Sequence, residues 1–229
     1  MYRFLVTAVL LCTGSALQAQ QSNIEDAAAF SKDIRQPGVQ VFDVRTAAEY
    51  NTGHLPNALQ ADYNNKAEFN ERVKYLDKQK PVYVYCLGGG RSSKAAQWMR
   101  ENGFNKVVEL ENGVNAWKQA GLSLEGVSEK KPQMTVDAYN KGIAKGIVLT
   151  DVGAVWCPPC KQMEPTLVKF LQKNKNVTFV KVDGGNDTDV MKAIDAKGLP
   201  TLILYKNGKE VWRKQGVSTM EELNAALKL

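Results

Sequence analysis

Apolar and polar positions along the chain follow two rhythms that take turns. The stretch VQVFDVR (residues 39–45) is nearly continuous in apolar and β-branched residues, as a strand buried on both faces requires. PVYVYCL (81–87), KVVEL (106–110), GIVLTDVGAVW (146–156) and VTFVKVD (177–183) read the same way. Between them the apolar spacing shifts to three and four, which predicts helices. These are IEDAAAFSKDI (24–34), AEFNERVKYLDKQ (67–79, with Phe69, Val73 and Leu76 on one face), RSSKAAQWMRENG (91–103), VNAWKQAG (114–121), PCKQMEPTLVKFLQKN (159–174, with a bend expected at Pro165), DTDVMKAIDAKG (187–198) and TMEELNAALKL (219–229). Gly103 and Gly121 stand where helices stop, and Thr219 with Glu222 forms a capping box. Asn207-Gly208 within PTLILYKNGKEVWRKQ predicts a two-residue hairpin turn. Alternation of strand and helix implies α/β architecture with parallel strands covered by helices.

The alternation breaks once, at GVSEKKPQ (126–133), which is polar and lacks apolar periodicity. It divides the chain into two α/β domains, residues 22–125 and 134–229, joined by a linker over 126–133. The start of the chain is different again. Arg3 precedes an apolar run, FLVTAVLLCTGSALQA, that ends in small residues. This reads as a secretory signal peptide over residues 1–19, cleaved after Ala19, and implies a periplasmic or secreted protein. The run is shorter than the ~20 apolar residues a bilayer span needs. Cys12 follows a bulky Leu11, which argues against lipid attachment there.

Composition adds little beyond a globular class: 44% of the 229 residues are hydrophobic, 24% are charged, and the net charge is +6. The lysines are scattered among acids, so no nucleic-acid footprint is present. Cysteine is more informative. Beyond the leader there are Cys86, Cys157 and Cys160, an odd number in a chain read as exported. Two can pair, and the third is reactive or buried.

Cys86 ends one of the strand-like runs and is followed by Leu87, Gly88, Gly89, Gly90, Arg91 and Ser92. At a strand-to-helix turn, loop N–H groups and the helix's positive end converge on the sulfur and make an anion cradle. Glycines let the backbone curl tightly. Such a cradle favours a thiolate, the nucleophilic form, and equally a persulfide. The loop YCLGGGRSS, together with FDVRTAAEYNTGHLPNA upstream, resembles the rhodanese family of sulfurtransferases over about residues 22–125. The resemblance implies that Cys86 carries sulfur as a persulfide taken from a sulfane donor such as thiosulfate. A related phosphatase class has one more residue between cysteine and arginine. The four residues here suit a sulfur atom better than a tetrahedral oxyanion. His54, the sole histidine, is either a general base or a fold-supporting turn residue, and the resemblance favours the latter. Asp43 and Arg45 read as a structural pair.

Cys157 and Cys160, two residues apart, suit half a zinc site, a redox pair or a static disulfide. A structural zinc needs four ligands, and only Cys86 and His54 remain to supply them. No metal or organic cofactor is therefore expected. At the start of a helix, Cys157 is expected to be the acidic, exposed nucleophile and Cys160 the shielded resolving thiol. Pro158 and Pro159 remove N–H donors from that turn. DVGAVWCPPCKQMEP and KGLPTLILYKNGKEV are similar to thioredoxin over about residues 134–229. The resemblance implies a contact-surface Trp156, a buried acid at Asp151 neighboured by Lys181, and a cis Pro200 beside the disulfide. The short segment before the central strand leaves the family's first strand missing or frayed. Protein or small-molecule disulfides are the implied partners, with a membrane electron donor if the pair works as a reductant in an oxidising compartment. Two alternatives stay open: a periplasmic protein-disulfide reductase whose first domain only binds partners, and a binding module with inert cysteines.

Overall fold

The first sheet is built from five short strands, all parallel. In this computed structural model, which describes residues 23–126 and 132–229, the chain enters through β1 (Asn23–Glu25) and α1 (Ala27–Asp33). It continues through β2 (Gln40–Asp43), α2 (Ala47–Asn51), β3 (Leu59–Gln60), α3 (Lys66–Val73), β4 (Val82–Tyr85), α4 (Gly90–Glu101), β5 (Val107–Leu110) and α5 (Gly113–Gln119). The order across the sheet is β1-β5-β4-β2-β3. Successive residues point to opposite faces, so each strand feeds two cores. Val41, Tyr83 and Val108 join Phe30 and Trp117 on one face, while Phe42, Val84 and Val107 join Phe69, Ala95 and Met99 on the other. The nearly unbroken apolar runs of the strands follow from this double burial.

One helical expectation is corrected here. Ile24 and Glu25 are not helical but pair with Glu109 and Leu110 as an edge strand. The helix starts only after Asp26, whose carboxylate accepts the N–H groups of Ala28 and Ala29 at 2.9 and 2.8 Å and so caps it.

After the linker, most of which lies outside the described residues together with the leader and Cys12, the chain goes directly into α6 (Val136–Ile143). Then come β6 (Ile147–Gly153), α7 (Pro158–Lys173), β7 (Val177–Asp183), α8 (Thr188–Ala193), β8 (Thr201–Lys206), β9 (Lys209–Gln215) and α9 (Met220–Ala226). The sheet order is β7-β6-β8-β9, parallel between β6 and β7 and antiparallel elsewhere. Among the described residues of the second domain no strand precedes α6, in line with the short lead-in noted above. Helix α6 has no counterpart in the sequence reading; only Tyr139 and Ile143 are buried in so short a segment. Helix α7 runs unbroken with Pro165 inside it. Asn207 and Gly208 both take positive φ, 50° and 79°, as the primed hairpin turn demands. The capping box at Thr219 and Glu222 is formed. Among the described residues no helix is long and apolar enough to cross a membrane.

The two domains meet through Trp156, just before α7, and through the loop after β7. Gln60 N–H donates to Trp156 O at 2.8 Å, and Asn51 Nδ2 donates to Gly185 O at 2.7 Å. The Trp156 ring is 5.8 Å from that of Tyr50, and the Arg72 guanidinium, also of the first domain, lies 5.0 Å from its centroid. Burying an indole of this kind contributes about 2–3 kcal/mol to docking.

Candidate functional site

Cys86 follows the last residue of β4, and the chain turns through 87–89 into α4. Gly89 is the cap of that helix with φ 95°, a conformation that side chains resist. Its N–H donates to Cys86 Sγ at 3.1 Å, and the Ser92 hydroxyl lies 3.4 Å from the same sulfur. Cys86 is 2% exposed. Burial pushes its thiol up, but hydrogen bonds from the Ser92 hydroxyl and from the N–H groups of Ser92, Gly88 and Arg91 outweigh it. The thiol ends below the ordinary thiol range. The convergence of donors expected from the loop is thus present. The demand for three glycines is not: Gly88 and Gly90 have ordinary φ and room for a Cβ, and only Gly89 requires its freedom.

The loop is held from behind by the start of α5, which the sequence reading passed over as a plain helix. Val114 N–H donates to Cys86 O at 2.9 Å and Asn115 N–H donates to Leu87 O at 3.1 Å. These bonds hold the loop from which Gly89 N–H donates to the sulfur. Gly113 makes the approach possible. Its φ is +54°, and a Cβ there would overlap the Cys86 carbonyl and lie 2.9 Å from the carbonyl carbon of Leu87. The signal was the Asn112-Gly113 pair after a strand, a turn dipeptide.

Arg91, the cation of the cradle, is forked onto Glu49 with bonds of 2.7 and 2.6 Å. Glu49 also closes the capping box of α2 through Thr46. The Arg91 bond holds the Glu49 carboxyl down to about 2. The two motifs quoted for the first domain therefore meet in one ion pair, and Glu49 is the supporting residue missed. Asp43 and Arg45 form a buried pair, 0% and 2% exposed, with Arg45 Nη2 also reaching Gly53 O at 2.8 Å. His54 stacks on Tyr50 at 3.8 Å, and its backbone pairs with Glu125 in both directions. These are architectural contacts, as expected for all three.

In the second domain Cys157 caps α7 and is disulfide-bonded to Cys160, with 5.3 Å between their Cα atoms. Pro158 and Pro159 occupy the first helical positions, so Cys160 N–H is the nearest donor, 3.4 Å from Cys157 Sγ. The expected exposure is reversed. Cys157 is 0% exposed, whereas Cys160 is partly exposed. The reason is tertiary: Ala154, Trp156 and Cys157 join the apolar cluster of the first domain with Tyr50, Leu55 and Ala58. Trp156 does form a contact surface, but one filled from within the chain.

Asp151 and Lys181 are register partners on β6 and β7. Asp151 is 7% exposed, and its Oδ1 makes no hydrogen bond among the described residues. Burial pushes its carboxyl up to about 6, with Glu164 adding and Lys181 opposing. A cavity of about 170 Å³, lined by Asp151, Gly153, Cys160, Glu164 and Lys181, opens beside it. A side chain at Gly153 would sit 3.3 Å from Asp151 Oδ1 and 3.5 Å from Cys160 Sγ, so glycine keeps the acid and the thiol facing one space. The Leu199–Pro200 peptide is cis, and Leu199 packs against the interdomain cluster. Among the described residues no group of three His, Cys, Asp or Glu side chains is placed to hold a metal ion.

A raised carboxyl costs stability as pH rises. The unfolded chain ionises first, near the ordinary 3.8, and the folded one only near 6. Stability attributable to Asp151 is therefore full below pH 3.8 and lost as pH climbs through about 6. Asp151→Asn is expected to stabilise the second domain at pH 7 by about 2–3 kcal/mol. The gain vanishes near pH 4. Urea unfolding of both chains at the two pH values checks it.

Residues 26–120 match the rhodanese-like domain family, and residues 130–229 match the thioredoxin family. Thioredoxin-2 of Saccharomyces cerevisiae is 38% identical over 82 residues, which is 35% of this chain and 79% of that protein. Thioredoxin of Chlamydia trachomatis serovar D is 40% identical over 85 residues, 37% of this chain and 83% of that protein. The first half is similar to tRNA uridine(34) hydroxylase of Cytophaga hutchinsonii, 38% identical over 92 residues. That match covers 38% of this chain but 30% of the relative.

Proposed function

Since the chain belongs to the thioredoxin family through residues 130–229 and carries a rhodanese-like domain over residues 26–120, we propose that it is an exported enzyme that couples sulfur transfer to thiol redox chemistry. The Cys86 thiolate attacks the outer sulfur of a sulfane donor such as thiosulfate. The sulfur–sulfur bond of the donor breaks, sulfite leaves, and Cys86 holds the sulfur as a persulfide. The donors from Gly89 and Ser92 stabilise the negative terminal atom. The reduced Cys157–Cys160 pair then takes over. One thiolate accepts the sulfane sulfur and returns Cys86 as a thiolate. The other thiol displaces that sulfur as hydrosulfide and closes the disulfide. The sulfane sulfur gains two electrons and the dithiol loses two. The disulfide is recharged by an electron donor at the membrane.

The observation that carries this reading is the docking. Gln60 N–H bonds to Trp156 O, next to Cys157, and Gln60 ends the strand beside β2, whose other neighbour β4 leads into Cys86. Gln60 and Cys86 both lie at the C-terminal ends of their parallel strands, and a tether of a few residues raises the effective concentration of the two sulfur centres to the millimolar range, roughly.

Loading the reduced chain with thiosulfate and following its mass tests the proposal. The wild type is expected to shed the extra sulfur as sulfide, and Cys157→Ser to retain it on Cys86. Equal persistence in both chains would overturn the coupling. A first domain that only binds would be favoured by a Cys86 that never gains mass. The docking contacts themselves are compatible with that second reading.

A further inference from the structure

The redox pair presents its sulfurs to solvent in the opposite order from its position on the helix. Cys157 is 0% exposed within the cluster that holds Tyr50, Leu55 and Ala58, and Trp156 beside it is 4% exposed. A protein-sized disulfide has no approach to Cys157 while the domains are docked. Cys160, which packs against the same cluster but keeps part of its surface exposed, lines a cavity of about 170 Å³. That volume holds roughly a dozen water-sized groups, enough for a small thiol. Val155, which lines the same cavity, is 71% exposed, and Val168 is 48% exposed. Lys161 and Lys181 line it together with Asp151 and Glu164, so the lining is polar without a net charge that would select an ion. The missing side chain at Gly153 leaves the Cys160 sulfur open to that space, since a Cβ there would come within 3.5 Å of it.

We propose that in the docked chain the disulfide is opened from the Cys160 side, by a small thiol entering this cavity, with Cys157 as the departing sulfur. This rests on the redox role assigned above and names the class of reductant that reaches the pair without domain opening. Thiol exchange favours the leaving sulfur that best carries negative charge. Cys157 caps α7 and receives the Cys160 N–H at 3.4 Å, so the helix's positive end stabilises it as it leaves. The incoming thiol passes its proton to the Asp151 carboxylate, which lines the same cavity. The new bond joins the small thiol's sulfur to Cys160 Sγ, the Cys160–Cys157 bond breaks, and its electron pair goes to Cys157. A second small thiolate attacks the adduct at the small-molecule sulfur. It leaves as a small disulfide, and Cys160 is freed as a thiolate. Two thiols are oxidised and one disulfide is reduced.

The test uses the oxidised full chain and 2-mercaptoethanol below stoichiometry, quenched by acid, capped with maleimide and mapped by fragmentation between the two cysteines. The adduct is expected on Cys160 and the maleimide on Cys157, and Gly153→Ala is expected to slow adduct formation about tenfold. An adduct on Cys157, or one shared equally, would overturn the proposal while leaving a redox pair in place. So would a pair that a protein dithiol reduces and 2-mercaptoethanol does not. A disulfide that resists both reductants would overturn the redox role itself along with the inference.

Discussion

Arg45→Ala is expected to destabilise the first domain by about 3–5 kcal/mol. Arg45 is 2% exposed and Asp43 0%, and the guanidinium gives Asp43 bonds of 3.0, 2.9 and 2.6 Å. Removing the cation strands a carboxylate where water does not reach, and the cost is that of an uncompensated buried charge. Burial already pushes the Asp43 carboxyl up and losing the cation pushes it further, so part of that cost is met by taking up a proton. The Gly53 carbonyl loses its 2.8 Å donor in the same change. Against a total of about 5–15 kcal/mol this is a large fraction. The double change Asp43→Asn with Arg45→Met, which removes both charges, is expected to cost less than the single one. Urea unfolding of the three chains measures the order. A loss under about 1 kcal/mol for Arg45→Ala would mean that Asp43 is solvated after all.

Gly113→Ala is expected to abolish most of the reactivity of Cys86 although residue 113 donates nothing to the sulfur. The left-handed backbone by itself costs an alanine about 1–2 kcal/mol. The larger effect is steric. The new methyl would overlap the Cys86 carbonyl and sit 2.9 Å from the carbonyl carbon of Leu87, both backbone and unable to rotate aside. Either α5 or the loop moves, and the 3.1 Å bond from Gly89 N–H to the sulfur is lost with the loop. Alkylation of Cys86 by iodoacetamide at neutral pH is expected to slow by about tenfold or more as the thiol returns to its ordinary range. Gly90→Ala, with open space around its Cβ and no positive φ, is the matched control and is expected to react as the wild type does. Equal alkylation of the two variants would show that the cradle is set by its own sequence and not by α5.

Much of this was legible one residue at a time. The buried strands announced themselves because a parallel sheet covered on both faces needs apolar residues at every position, as at Val82–Tyr85. Asn207-Gly208 specified its turn because few residue pairs accept two positive φ values. The cradle was visible because its glycines adjoin its cysteine. Other parts were opaque for equally physical reasons. Ile24 and Glu25 have helical company, and only pairing with β5 makes them a strand. Glu49 lies 42 residues from Arg91, and nothing local marks the two as partners. Asp151 was recognisable as a buried acid in an apolar strand, but its unbonded Oδ1 and the space it shares with Cys160 came from the register of β6 and the bareness of Gly153.

The sequence by itself determined the chemistry each sulfur can do: a lone cysteine ringed by N–H donors, and a pair at the head of a helix. These are properties of a few adjacent residues, set by local backbone geometry. Tertiary structure alone decided which sulfur meets solvent. Cys157 stands at the position a nucleophile needs, yet it is buried in a cluster with Tyr50 and Leu55, about a hundred residues earlier, while Cys160 keeps part of its surface on the open cavity. Accessibility is a sum over everything that packs nearby, and no spacing within a motif encodes it.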